Sequence, residues 1–116
     1  MSDVLDEAQL MDRVDGDVEF LEETVTMLDE DGPELLVQIK AAVSARDAAA
    51  LVKPAHALKG MVSNFCAPLA ESAARELERM GREEQLDDVT RAAERAQRET
   101  QRLREALHEF LRSKTG

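Results

Sequence analysis

"DAAALVKPAHALKGMVSNF", residues 47–65, is the stretch on which the fold turns. Leu51, Ala55, Leu58, Val62 and Phe65 recur at three- and four-residue steps, and at about 100° per residue they fall within roughly 40° of one direction. That spacing writes one apolar face onto a helix, and Asp47 offers the N-cap that would start it. The helix is expected from about residue 48 to Asn64, with Pro54 inside its first two turns as a point where it can bend. A single apolar stripe has to be covered by other elements, so the flanking sequence is read for helices that can do so.

Toward the N-terminus, Asp15-Gly16-Asp17 separates a short helix over roughly residues 6–13 from an amphipathic one running to about Glu30. In "DEDGPELL", residues 29–36, Gly32 can close that helix and Pro33 can occupy the first turn of another, which would end near Ala45. The two segments can also form one long kinked element. Toward the C-terminus, "CAPL", residues 66–69, breaks the chain again. Pro68 suits a first helical turn, and the helix it opens is expected to stop at Gly81. The last segment, roughly 84–112, carries Leu86, Val89, Ala93, Ala96, Thr100, Leu103, Leu107 and Phe110 as one continuous apolar stripe. Short connections favour antiparallel neighbours. The expected architecture is therefore all-α, an up-and-down four-helix bundle with a short additional N-terminal helix, formed by a single domain over residues 1–116.

Composition agrees with this class and narrows the partners. The chain has 116 residues, 43 % of them apolar, with no Trp or Tyr and three Phe, so intrinsic preference runs toward helix and the length suits one core. Twenty-five acidic residues against fifteen basic give a formal charge of −10, which repels phosphate backbones and anionic lipid. This argues against nucleic-acid and membrane binding, and a protein partner is expected. The opening "MSDVLDEAQL" lacks the basic-then-apolar pattern of a signal peptide, and no apolar run approaches the roughly 20 residues of a membrane span. A cytoplasmic, monomeric protein is expected, and the leading Met-Ser-Asp with no linker favours a free-standing one. Cys66 is the single cysteine, so an internal disulfide and a thiolate metal cluster are ruled out. It reads as a small hydrophobe near a helix end.

The wheel of residues 47–65 also decides what faces water. His56 lies about 140° from the apolar direction, Gly60 about 180°, Ser63 about 120°, Lys53 about 200° and Lys59 about 80°. The imidazole therefore points outward, as an ordinary surface histidine or as a functional one. Glycine inside a helix costs roughly 1 kcal/mol relative to alanine, and Gly60 sits one turn beyond His56 on the same exposed side. Bare backbone there lets another molecule approach the ring. Lys59, on the flank, can lie along apolar surface while its ammonium reaches toward a group on His56. A largely uncharged, nucleophilic imidazole near a cation and a glycine makes a docking point for a phosphoryl group. If the next turn centres on Ala67, His56 comes level with Glu78 on the following helix, beside a stripe of Leu69 or Ala70, Ala73, Leu77 and Met80. Glu78 could then accept a hydrogen bond from one ring nitrogen, fix the tautomer, leave the other nitrogen to attack and raise its basicity. Alternatively Glu78 is solvated and paired with Arg75 or Arg82.

With these residues in hand, the chain resembles the histidine-containing phosphotransfer (HPt) domain family. The likeness covers nearly all of it: "LMDRVDGDVEFLEETVTMLDEDGPELL" is similar to the family's opening helices, "ARDAAALVKPAHALKG" to its phosphorylation helix, and "LERMG" to the end of the next helix. The motif His-x-Leu-Lys-Gly stands here as residues 56–60. The resemblance implies that His56 carries the phosphoryl group, that Lys59 assists electrostatically, and that Gly60, with Ser63 and Asn64, meets a response-regulator receiver domain. It implies a receiver and a hybrid or sensor histidine kinase as partners, no cofactor or metal bound by this chain, and Mg²⁺ supplied by the receiver. Glu78 matches by spacing the Gln or Glu that the family often sets against its histidine. Met61, Val62 and Cys66 depart from the family's commoner small residues and glycine, which bears on packing and partner preference.

The function implied is a relay in which His56 exchanges a phosphoryl group with receiver aspartates, an intermediate and not an autonomous kinase; no Gly-rich nucleotide cradle occurs in the sequence. Two rivals stand beside it. An interaction module would bind a response regulator without accepting phosphate. A di-metal bundle enzyme would use Glu105 and His108 as one Glu-x-x-His step, but it needs a second step, and the residue three before His56 is Lys53.

Overall fold

A computed structural model describes residues 3–115. Met1 and Ser2, on which the expectation of a free-standing start rested, lie outside the described residues, as does Gly116. Three aspartates open helices in the same way. Asp6 accepts from the Gln9 amide, Asp17 from Phe20 and Asp47 from Ala50, each at 3.0 Å, so each satisfies one of the amide donors a helix start leaves unpaired. They begin α1 (Glu7–Arg13), α2 (Val18–Ser44) and α3 (Ala48–Val62). A 3₁₀ turn (Ser63–Phe65) follows, then α4 (Pro68–Glu83), which Pro68 opens, and α5 (Val89–Thr115).

Each connection contains a residue in the left-handed region: Asp15 and Gly16, Arg46, Cys66 and Glu84. For a residue with a Cβ this conformation costs about 1–2 kcal/mol, and it turns the chain sharply enough to send the next helix back alongside the last. α2 packs on α3, α3 on α4, and α4 on α5, and α5 closes the ring against α2. The architecture is the expected all-α, up-and-down bundle with a short extra helix in front. α1 lies across the end where α3 turns into α4: the Asp6 amide donates to the Cys66 carbonyl at 3.0 Å and the Arg13 guanidinium to the Ser63 carbonyl at 2.6 Å. Leu10 of α1 is fully buried. Cys66 is buried too, and burial pushes its thiol pKa up from the ordinary value, as suits a small hydrophobe.

The α3 stripe Leu51, Ala55, Leu58, Val62 and Phe65 is buried throughout. Along α5, Val89, Ala96, Thr100, Leu103, Leu107 and Phe110 are buried and Ala93 is half-buried. Leu86 lies in the loop before α5, not on it, because Glu84 ends α4 later than Gly81 and α5 starts only at Val89.

At Gly32-Pro33 the chain does not break but takes the second of the two arrangements open to it, one long element: α2 is one helix of 27 residues with Pro33 inside it. Leu21, Val25 and Leu28 before the proline and Ile39 and Ala42 after it are all buried, and burial of this size offsets the roughly 3 kcal/mol of a helix-interior proline. Gly81 does not end α4 either. A Cβ at that position would sit 2.9 Å from Val52 Cγ2 and 3.0 Å from the Ala48 carbonyl oxygen, so this glycine permits α3 and α4 to approach closely. Among the described residues no helix is long and apolar enough to cross a membrane.

Candidate functional site

The close approach of α3 and α4 sets the side chains at their shared rim against one another. His56, on the water side of α3, is 62 % exposed, whereas Glu78, opposite on α4, is only 8 % exposed. His56 Nδ1 and Glu78 Oε2 are 2.9 Å apart. Arg82, one turn further along α4, donates to the same Oε2 from Nη2 at 2.6 Å and from Nε at 3.0 Å. The Lys59 ammonium stands 2.7 Å from Oε1, off the hydrogen-bond axis of that oxygen, so the contact is a charge pair more than an aligned bond. Lys59 Nζ, then Arg82 and His56, hold the Glu78 carboxyl down at about 2 from 4.5, against burial, which pushes it upward.

This ionisation fixes the ring. A carboxylate held ionised has no proton to give, so Nδ1 is the nitrogen that carries hydrogen and donates to Oε2. In the neutral ring Nε2 then keeps its lone pair. The lone pair lies in the ring plane on the far side from Glu78. Gly60, one turn on, is exposed, and a Cβ built there would meet nothing within 4 Å. The protein's own packing therefore does not require glycine at 60, in contrast to Gly81.

The alternatives for Glu78 prove compatible. It accepts from His56 and from Arg82 at once, but it is buried, not solvated; Arg75 pairs instead with Glu71. Lys59 is 29 % exposed and leans on Glu78, where the sequence suggested a solvated ammonium aimed at a group on His56. Ser63 is half-buried and its hydroxyl donates to the Gly60 carbonyl at 2.8 Å. Asn64 is exposed. Lys53 is exposed and forms no ion pair among the described residues.

Sequence reasoning missed the contribution of α2. Thr24 and Met27 share a shallow hollow with Ala57, Gly60, Met61 and Asn64. Met27 is 55 % exposed, and Phe20, two turns earlier on the same side, is 52 % exposed. The signal was present: these two large apolar residues, seven apart, fall off the Leu21, Val25 and Leu28 stripe of their own helix. At the far side of the molecule, His108 Nε2 is 2.6 Å from Asp29 Oδ2, and Glu105 accepts from Gln101. Among the described residues no three His, Cys, Asp or Glu side chains converge as metal ligands would.

The model of the Hpt domain family matches residues 19–110. Curated protein sequences give no significant match. Among solved structures, the chain is similar to histidine-containing phosphotransfer protein B (HptB) from Pseudomonas aeruginosa PAO1. The two are 29 % identical with a TM-score of 0.75, over 94 % of this chain and 95 % of that one.

Proposed function

The chain belongs to the Hpt domain family, and from that premise we propose that His56 is the residue that takes up the phosphoryl group of a receiver-domain aspartate and passes it to another. A histidine phosphotransfer protein works within a phosphorelay. The partners on this reading are receiver domains of response regulators and of hybrid or sensor histidine kinases, met in the cytoplasm by a monomer.

In the forward step the Nε2 lone pair attacks the phosphorus of the aspartyl phosphate in line. The Nε2–P bond forms as the P–O bond to the aspartate breaks, and the aspartate leaves with that electron pair as a carboxylate. The ring becomes cationic. Its positive charge is shared with Nδ1–H, which already donates to ionised Glu78, so the acceptor needs no reorganisation as charge develops. Return transfer is the same step reversed, with a second receiver's aspartate as nucleophile. Lys59 and Arg82, whose cationic groups rest on Glu78, are within side-chain reach of an incoming phosphoryl group and offset its negative charge. On this reading the receiver would hold the Mg²⁺ that supplies further charge neutralisation at the phosphoryl oxygens. Gly60 lets the receiver's backbone come close, Asn64 and Ser63 line that approach, and Phe20 and Met27 supply apolar contact.

The observation that supports the reading is a buried carboxylate, held ionised, that accepts from Nδ1–H of an exposed histidine, an arrangement that on this reading leaves Nε2 as the nucleophile. The test is incubation with receiver domains carrying labelled phosphate. Label should move onto the wild type in acid-labile, base-stable form, not at all onto His56→Gln, and roughly tenfold more slowly onto Lys59→Ala, a loss of about 1.4 kcal/mol in the transition state. Binding without transfer would leave the domain an interaction module.

A further inference from the structure

The net charge of the chain is unevenly placed. Residues 1–39 hold thirteen acidic side chains and one arginine, a net of −12, while residues 40–116 hold twelve acidic and fourteen basic, a net of +2. Part of this imbalance lies against the histidine. On α2, Phe20, Glu23, Met27, Asp31 and Glu34 recur at three- and four-residue steps within about 80° of one another, and all five are exposed. Met27 borders Ala57 and Gly60, so this face of α2 flanks the exposed side of α3. Counted back from the connection at Arg46, Asp31 and Glu34 come level with the stretch of α3 that holds His56 and Gly60. None of Glu23, Asp31 and Glu34 forms an ion pair among the described residues.

The opposite border of the same face is cationic. Lys59 and Arg82, with Arg82 58 % exposed, gather on the single carboxylate of Glu78 and outnumber it; Arg75, further along α4, is balanced by Glu71. Lys53 is not part of this border: it lies on the α2 side of α3, where it lines a hollow with Gln38, Ala41 and Ala45. The surface presented around His56 is thus three parallel strips: acidic with apolar Phe20 and Met27 on α2, histidine and bare glycine on α3, and basic at the α3–α4 rim.

Resting on the relay reading above, we propose that this polarity selects and orients the partner. The face takes a receiver domain whose rim is basic where it overlies Glu23, Asp31 and Glu34, and whose acidic phosphorylation pocket faces Lys59 and Arg82. Turned by half a revolution, the same receiver would set acid on acid and base on base, so the charge pattern leaves one docking orientation. Apolar contact holds the complex, and charge direction decides which receiver docks and how fast, since complementary fields act mainly on the association rate and on wrong partners. A second copy of this chain fits the pattern less well, because it would bury the nucleophile against another histidine with no phosphoryl donor.

The experiment uses the full chain, receiver domains from the same genome charged with phosphoramidate, and phosphoramidate alone as a small donor that needs no docking. For the receiver that transfers fastest, kcat/KM at low salt should fall about tenfold in the triple variant Glu23→Lys, Asp31→Lys, Glu34→Lys and about threefold in Glu23→Gln, Asp31→Asn, Glu34→Gln. Both deficits should shrink as salt is raised. Labelling of His56 by phosphoramidate should be unchanged. Equal kcat/KM at all salt concentrations overturns the proposal, and so does an equal loss of phosphoramidate labelling, which would place the effect in the ring itself. A wild-type dimer in light scattering that the lysine variant abolishes also overturns it, in favour of self-association. Labelling by phosphoramidate but by no receiver defeats the docking proposal alone. Labelling by neither defeats the relay reading beneath it. The amide variant keeps the test open should three lysines disturb α2.

Discussion

Glu78 does more for His56 than accept one hydrogen bond. Because Lys59 and Arg82 keep it ionised, it can only accept, and the ring has a single tautomer to choose. Glu78→Gln retains an oxygen for Nδ1–H, whereas Glu78→Ala removes it. In ¹⁵N-resolved spectra the wild type and Glu78→Gln should show the Nδ1–H form of His56, and Glu78→Ala should show both forms; a single form in the alanine variant would mean that something else sets the ring. The same carboxyl has a consequence for stability. Its folded pKa lies below its ordinary 4.5, at about 2, so the unfolded chain binds the proton first. The stabilisation is fully present above about pH 4.5 and is lost as pH falls toward 2. Chemical denaturation across that window should show the wild type losing more stability than Glu78→Gln, and parallel losses would contradict the assignment. The wheel showed that His56 faces out, because direction from a helix axis is fixed by residue number. It did not show where the Lys59 ammonium rests, because a four-carbon stem can end in many places.

At the level of the helices, the two glycines of α3 and α4 are opposites that sequence reading treats alike. Gly81 is a packing glycine: any Cβ there meets Val52 and the Ala48 carbonyl. Gly60 has open space around it. Gly81→Ala should therefore lower unfolding free energy by about 1–3 kcal/mol through the forced separation of two helices. Gly60→Ala should raise it by about 0.5–1 kcal/mol, the ordinary helix preference for alanine, while slowing transfer from a receiver. Denaturation midpoints and a transfer assay on the pair check both signs, and a destabilised Gly60→Ala would show that the glycine serves the fold. Pro33 teaches a related point. A proline and a glycine together are strong local stop signals, yet α2 passes through them, since both halves bury apolar side chains against the same core.

Across the whole molecule, the net negative charge belongs to residues 1–39, at −12 against +2 for the rest, and this part is held to the bundle by Leu5, Leu10, Leu21 and Val25, all buried. Apolar contact here works against the mutual repulsion of acids. Raising salt from about 0.02 to 0.2 M, which shortens the screening length from roughly 20 to 7 Å, should thus increase the melting temperature of the isolated protein. A flat or falling melting temperature in a salt series would show that local pairs, such as Arg104 and His108 on Asp29, already balance the field.

What the sequence determined by itself was periodic or capped: the all-α class, the buried stripes of α3 and α5, the Asp47 cap that opens α3, the outward direction of His56, and the level of Glu78 across the α3–α4 turn. These are consequences of 3.6 residues per turn and of local hydrogen bonding, and neither needs a partner element. Tertiary structure alone decided the continuity of α2, the packing role of Gly81, the burial of Glu78 beneath three cationic or hydrogen-bonding partners, and the placing of Met27 beside Gly60. Each of those depends on how closely two helices approach and on where long side chains end, and only the assembled bundle sets such distances.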